Sequence, residues 1–131
     1  MFLSSRIRLL RGVLAAMLPG SLACAPGSTV RRAEPDPSAV RVVVENAEWH
    51  DMNVYLESAA GSRFRVGTVN GFATRTLVLK ALPVAGPWFR LVGDPIGSEG
   101  LHVSEPVSLA SGMTAHWRVG QTAATSSLSV Y

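Results

Sequence analysis

The chain contains a single cysteine, Cys24, among 131 residues, so no internal disulfide is available to it. Charged residues are also sparse, at 16%, and the basic excess is concentrated at the start. Three of the 12 Lys+Arg, namely Arg6, Arg8 and Arg11, lie in the first eleven residues, and the first acid is Glu34; setting those three aside leaves 12 − 3 = 9 basic residues against 9 acidic ones. A nucleic-acid-binding face needs concentrated positive charge to displace the counterions of phosphate, and beyond the pair Arg31-Arg32 the sequence has no such cluster. Nucleic acid is therefore not an expected partner. No apolar run approaches the ~20 residues of a bilayer-spanning helix. Phosphate-cradling GxxxxGK[ST] and GxGxxG loops are missing, and Gly97-Ser98-Glu99-Gly100 lacks the G-x-S-x-G spacing that exposes a nucleophilic serine. The expectation is a non-enzyme without a cofactor, with room for one folded domain rather than two.

What is present begins with an export signal. Residues 1–11 form a positive n-region, and residues 12–18 form a short apolar stretch ended by Pro19-Gly20, which together read as a signal peptide over residues 1–23. Ala23-Cys24-Ala25 fits the small-x-small rule of ordinary cleavage, but that cut leaves Pro26 as a poor new N-terminus. Ala23-Cys24 also resembles the bacterial lipobox, with Ser21 and Leu22 in unusual order before it. An unpaired thiol in an oxidising compartment is a liability unless it is used, and acylation of Cys24 uses it. A thioether-linked diacylglyceryl group and an N-acyl group on Cys24 would then anchor the chain, since stable anchoring takes more than one acyl chain. If Cys24 is instead removed or idle, the protein is secreted or periplasmic.

Residues 24–39 read as a lipid-anchored flexible linker. This stretch has three of the chain's eight prolines, no aromatic residue and almost no apolar periodicity, so it cannot bury enough surface to offset its ordering entropy. From residue 40 the pattern changes to short β-rich runs. Residues 40–45 are β-branched, and residues 52–57 alternate, with Met52, Val54 and Leu56 on one face. Residues 63–66, 74–82, 88–92, 102–109, 114–119 and 127–131 supply further strands, with Asn70-Gly71 read as a hairpin turn. No window outside the leader has a helical period. Residues 40–131 are therefore expected to form an all-β, antiparallel two-sheet sandwich of about seven or eight strands. Its core would hold Val42, Val44, Val54, Leu56, Phe64, Val66, Leu77, Leu79, Phe89, Leu91, Val107, Leu109, Trp117 and Val119, with Trp49 in or capping it.

The runs VRVVVENAEWHDMNVYLES, GSRFRVGTVNGFATRTLVL, FRLVGDPIG and HVSEPVSLASGMT resemble small bacterial envelope lipoproteins of unknown function with an immunoglobulin-like or transthyretin-like sandwich. The resemblance rests most on Asn46, Asp51, Val54-Tyr55, Gly67, Thr74 and Asp94-Pro95-Ile96-Gly97. It implies a fold and an address, the cell envelope and specifically the outer membrane, and no activity. The same residues have local physical roles. Asn46 and Asp51 suit Asx turns, Gly67 a bulge or close approach, and Asp94-Pro95 a turn.

Two sets of candidate site residues remain. Residues 93–101 read as the longest connection between strands, where Asp94, Ile96, Glu99 and Leu101 offer a loop for an envelope protein or glycan partner. Aromatic contacts from Trp49, Phe72 and Trp88 would lie near strand ends. His50, His102 and His116 are the alternative, a copper or zinc site of a periplasmic metal-binding protein or metalloenzyme. They lack the local H-x-H or H-x3-H spacing that would place two ligands on one element.

Overall fold

The computed structural model describes residues 32–131; the expected signal peptide, Cys24 and the first part of the expected linker lie outside the described residues. Residues 32–38 are exposed and Ala39 is buried. The end of this segment is tied down. Asp36 Oδ1 accepts hydrogen bonds from the Ser38 amide (2.9 Å) and hydroxyl (2.7 Å), and the Gly112 amide donates to the Ser38 carbonyl at 3.0 Å. The Ser38 hydroxyl, then its amide, hold the Asp36 carboxyl below the usual aspartate range.

Eight strands follow: β1 (Val40–Asn46), β2 (Met52–Ser58), β3 (Arg63–Val69), β4 (Thr74–Leu79), β5 (Phe89–Pro95), β6 (His102–Val103), β7 (Thr114–Val119) and β8 (Ser127–Val130). A single 3-10 turn, Ala123–Thr125, lies between the last two. The strands form two four-stranded sheets, one ordered β4-β1-β7-β8 and the other β3-β2-β5-β6. The chain is thus the expected all-β sandwich. Every ladder is antiparallel except β1 with β7, which run parallel from Arg41↔Thr114 to Asn46↔Val119. Those two strands are far apart in sequence, so no tight turn dictates their direction. No helix among the described residues is long and apolar enough to cross a membrane.

Strict alternation builds the core. Both β1 and β2 bury every second residue along their whole length, because successive side chains point to opposite faces of a pleated strand. Val42, Val44, Val54, Leu56, Leu91, Trp117 and Val119 meet between the sheets, joined by Val40, Met52, Val69 and Ala115. Two expected core positions differ. Trp49 is 76% exposed, carried out of the sandwich by the β1–β2 turn, and Phe64 is 43% exposed. Phe64 does face the same side as its partner Leu56, but β3 is an edge strand with one neighbour, which leaves the ring an open flank. Val66 and Val107 are half-buried against the core.

Strand limits also shift. β3 runs on to Val69 through a bulge at which Val54 faces Gly67 and Tyr55 faces Arg65. Gly67 sits on this irregularity, and a Cβ there would come within 2.8 Å of Leu77 Cδ2. β4 stops at Leu79 instead of residue 82. The expected strand over 102–109 reduces to β6 and an isolated bridge between Phe89 and Val107, since Pro106 has no N–H to donate between them. Asp94 and Pro95 are the last residues of β5, paired with Asn53 and Met52, and do not form a turn. The loop expected over 93–101 therefore shrinks to residues 96–101, shorter than the connections at 80–88 and 104–113.

Candidate functional site

Asn46 organises one end of the sandwich. It closes β1 and is buried, so its amide must be satisfied internally. Its Nδ2 donates to the His50 carbonyl at 2.8 Å and to the Asn70 carbonyl at 3.1 Å, while its Oδ1 accepts from the Glu48 amide at 3.0 Å. One side chain thereby closes the β1–β2 turn and ties it to the β3–β4 connection. Asp51 adds a second tie, with Oδ1 accepting from the Gly71 amide at 3.0 Å. Both residues play the side-chain-to-backbone role that their position between strands suggested.

The Asn70-Gly71 turn is not a hairpin, because β3 and β4 belong to different sheets. The chain crosses between the sheets here. The Ala73 amide closes the turn on the Asn70 carbonyl at 3.2 Å, and the Phe72 amide donates to the Glu48 carbonyl at 3.0 Å. The positive φ falls on Phe72, at 54°, rather than on glycine. Gly71 is needed for a different reason, since a Cβ there would overlap the Trp49 carbonyl oxygen. The outcome is a pair of aromatic rings outside the core. Trp49 and Phe72 meet edge to face with centroids 5.4 Å apart at 66°, and Phe72 is 63% exposed.

The β5–β6 connection joins the same end. The Ile96 amide donates to the Asp51 carbonyl at 2.7 Å, and His102 Nε2 lies 3.3 Å from Glu48 Oε1, both side chains being largely covered. Ile96 and Leu101 are exposed on this connection, as is Glu99. Three of the four candidate loop residues, Ile96, Glu99 and Leu101, are thus brought to one end of the fold. Asp94 is not, because it pairs with Asn53 within the sheet. Residues 46–51, 70–73 and 96–101 contain Glu48, Asp51 and Glu99 and neither lysine nor arginine. These three connections combine exposed apolar side chains with acidic ones.

Beside it a groove of about 700 Å³ opens between the sheet edges at β6 and β8. Leu101, Val103, Trp117 and Leu128 supply its apolar wall, and Glu105 is its only carboxylate. The three histidines lie on separate elements. His50 is exposed in the β1–β2 turn, His102 faces Glu48 at the start of β6, and His116 alternates outward in β7 opposite Val43 and Ser129. Among the described residues, no three His, Cys, Asp or Glu side chains come together as a metal-binding group. Trp88 is half-buried with the Arg90 guanidinium 5.1 Å from its ring, away from the Trp49–Phe72 pair in sequence and in pairing.

Comparison of the chain with protein-family models, with curated proteins and with solved structures finds no match.

Proposed function

We propose that this chain is a lipid-anchored component of the bacterial cell envelope, held at the outer membrane through Cys24. Its sandwich binds an envelope protein or glycan and catalyses no reaction. The observation that carries the binding role is the Trp49–Phe72 pair. Two large rings stand in solvent on a turn fixed by Asn46, Asp51 and Gly71. Aromatic side chains lose few rotamers on binding and bury much area, which makes a rigid exposed pair a natural contact centre. A backbone held at positive φ under a bulky exposed side chain points the same way, since such strain gathers at functional positions. The exposed Asp51 and Glu99 in the connections at this end favour a partner that brings basic or hydrogen-bond-donating groups next to an apolar patch.

The address rests on the charged leader, the lone Cys24 and the resemblance to envelope lipoproteins. Changing Cys24→Ser tests it. The variant is expected to leave the membrane fraction or to accumulate as uncleaved precursor; normal processing with full membrane retention defeats the anchor. The binding role is tested by placing a photo-crosslinking amino acid at Trp49 or Phe72 in cells, with Lys80 as control. A discrete adduct from the two loop positions and none from position 80 is expected, whereas identical patterns at all three would remove the loop end from consideration.

A further inference from the structure

We propose that β8 is a self-pairing edge, through which two copies of this chain join their β4-β1-β7-β8 sheets across a two-fold axis. A free strand edge offers unpaired N–H and C=O groups, and natural sheets guard such edges with charge, proline or very short strands. Among the described residues, three of the four sheet edges are guarded. β3 carries exposed Arg63 and Arg65, β4 carries exposed Arg75 and is followed by Lys80, and β6 is two residues long with Pro106 after it. β8 has none of these devices, for residues 119–131 contain no charged side chain and no proline.

The ladder tells which groups are free. Thr114 and Tyr131 exchange both backbone hydrogen bonds, at 2.8 and 3.1 Å. By alternation the pairs His116↔Ser129 and Arg118↔Ser127 are also hydrogen-bonded, so Leu128 and Val130 aim their N–H and C=O groups away from β7. An antiparallel copy centred on Ser129 sets Leu128 against Val130 of the second chain, and Val130 against its Leu128, which satisfies all of these groups at once. Ser129 then faces its own copy across the axis at a non-hydrogen-bonded position, where side chains come closest and a small residue fits.

Side-chain chemistry agrees with this register. Ser127 and Ser129 are exposed on the outer face, and Leu128 and Val130 turn inward against the core. Residues directly opposite each other share a face, so the second copy's Leu128 and Val130 come down on the inner side, over the groove walled by Leu101, Val103 and Trp117. With no charged side chain on either edge, two copies meet without like-charge repulsion between side chains, and a self-complementary patch is what a two-fold interface requires.

The test uses the full chain, purified from membranes in mild detergent. Ser129→Cys should form a disulfide-linked dimer under mild oxidation, because Cα atoms at such a pair lie within bridging range. Ser62→Cys, in the exposed turn before β3, controls for native Cys24 and should not crosslink beyond the unchanged chain. Light scattering should give a mass that doubles with concentration, and Ser129→Lys should move that midpoint at least about fivefold higher by setting like charges opposite each other. At concentrations where both chains are monomeric its thermal midpoint should match that of the unchanged chain, since residue 129 is exposed there. A monomeric mass at every concentration, equal crosslinking at positions 62 and 129, or capture of residue 129 into an adduct with a different protein would each overturn self-pairing.

Discussion

Trp49 and Phe72 come from connections that belong to different parts of the chain, yet their rings meet edge to face at 5.4 Å outside the core. Neither is positioned by hydrophobic burial. Hydrogen bonds to the backbone place them, from the Phe72 amide to the Glu48 carbonyl and from the Asn46 side chain to the His50 and Asn70 carbonyls. The geometry of the exposed pair therefore depends on a buried polar residue.

That dependence gives the first prediction. Asn46→Ala removes three part-buried side-chain hydrogen bonds, including those to the His50 carbonyl and from the Glu48 amide, and it should cost about 1–3 kcal/mol in denaturant unfolding. It should also alter the near-ultraviolet signal of Trp49 in the folded state. Retention of both wild-type stability and that signal would show that Asn46 does not hold the turn.

The second prediction contrasts two residues that face each other across β2 and β3. Leu56 is fully buried with strands on both sides, whereas Phe64 is 43% exposed on the edge strand. Leu56→Ala should cost about 2–5 kcal/mol and Phe64→Ala clearly less, although phenylalanine is the larger residue. The same chemical denaturation measurement ranks them, and a larger loss at Phe64 would contradict the edge placement.

This contrast also marks how far the sequence could be read. The β-branched run at residues 40–45 located β1, and alternation in residues 52–57 located β2 and its inward face, because period two is a local property of a pleated strand. Whether a strand is central or an edge is a property of the sheet, so the inward direction of Phe64 was legible and its exposure was not. The turn chemistry of Asn70-Gly71 was similarly legible, while its crossing between sheets depends on partners distant in sequence. Trp49 read as core because large aromatics usually are. No local signal shows that Asn46, three residues earlier, closes the turn so as to carry that ring outward. Among the candidate loop residues, Ile96, Glu99 and Leu101 lie in the connection after β5, but Asp94-Pro95 carries turn composition and lies in a strand, where Pro95 ends the ladder.

The third prediction concerns pH. Hydrogen bonds from Ser38 lower the Asp36 carboxyl in the folded state. A depressed acid contributes stability above its unfolded value and loses it as pH falls through the folded one. Because Asp36 is fully exposed, the effect on unfolding should be slight, and the carboxyl's own titration is the better readout. Followed by NMR, it should have its midpoint below that of an unstructured aspartate. Ser38→Ala should raise it, and an unchanged midpoint would dissolve the proposed turn.

The fourth prediction separates strain from packing at Phe72. Its φ of 54° lies in the left-handed region, where any residue with a Cβ is disfavoured and glycine is not. Phe72→Ala keeps that strain and loses the edge-to-face contact with Trp49, worth about 0.5–1.5 kcal/mol in well-ordered pairs and less here because both rings are exposed. Phe72→Gly loses the same contact but relieves the backbone, at the expense of a more flexible unfolded chain. In left-handed positions the relief outweighs that added chain entropy, so the glycine variant should be more stable than the alanine variant by about 1 kcal/mol. Thermal or denaturant unfolding of the two variants side by side reads this difference. If alanine proves the more stable, Phe72 does not occupy the left-handed region in solution, and the strained presentation of the aromatic pair is wrong. If glycine is more stable yet photo-crosslinking from Trp49 is lost, the ring at residue 72 is retained for contact with a partner at a cost to stability.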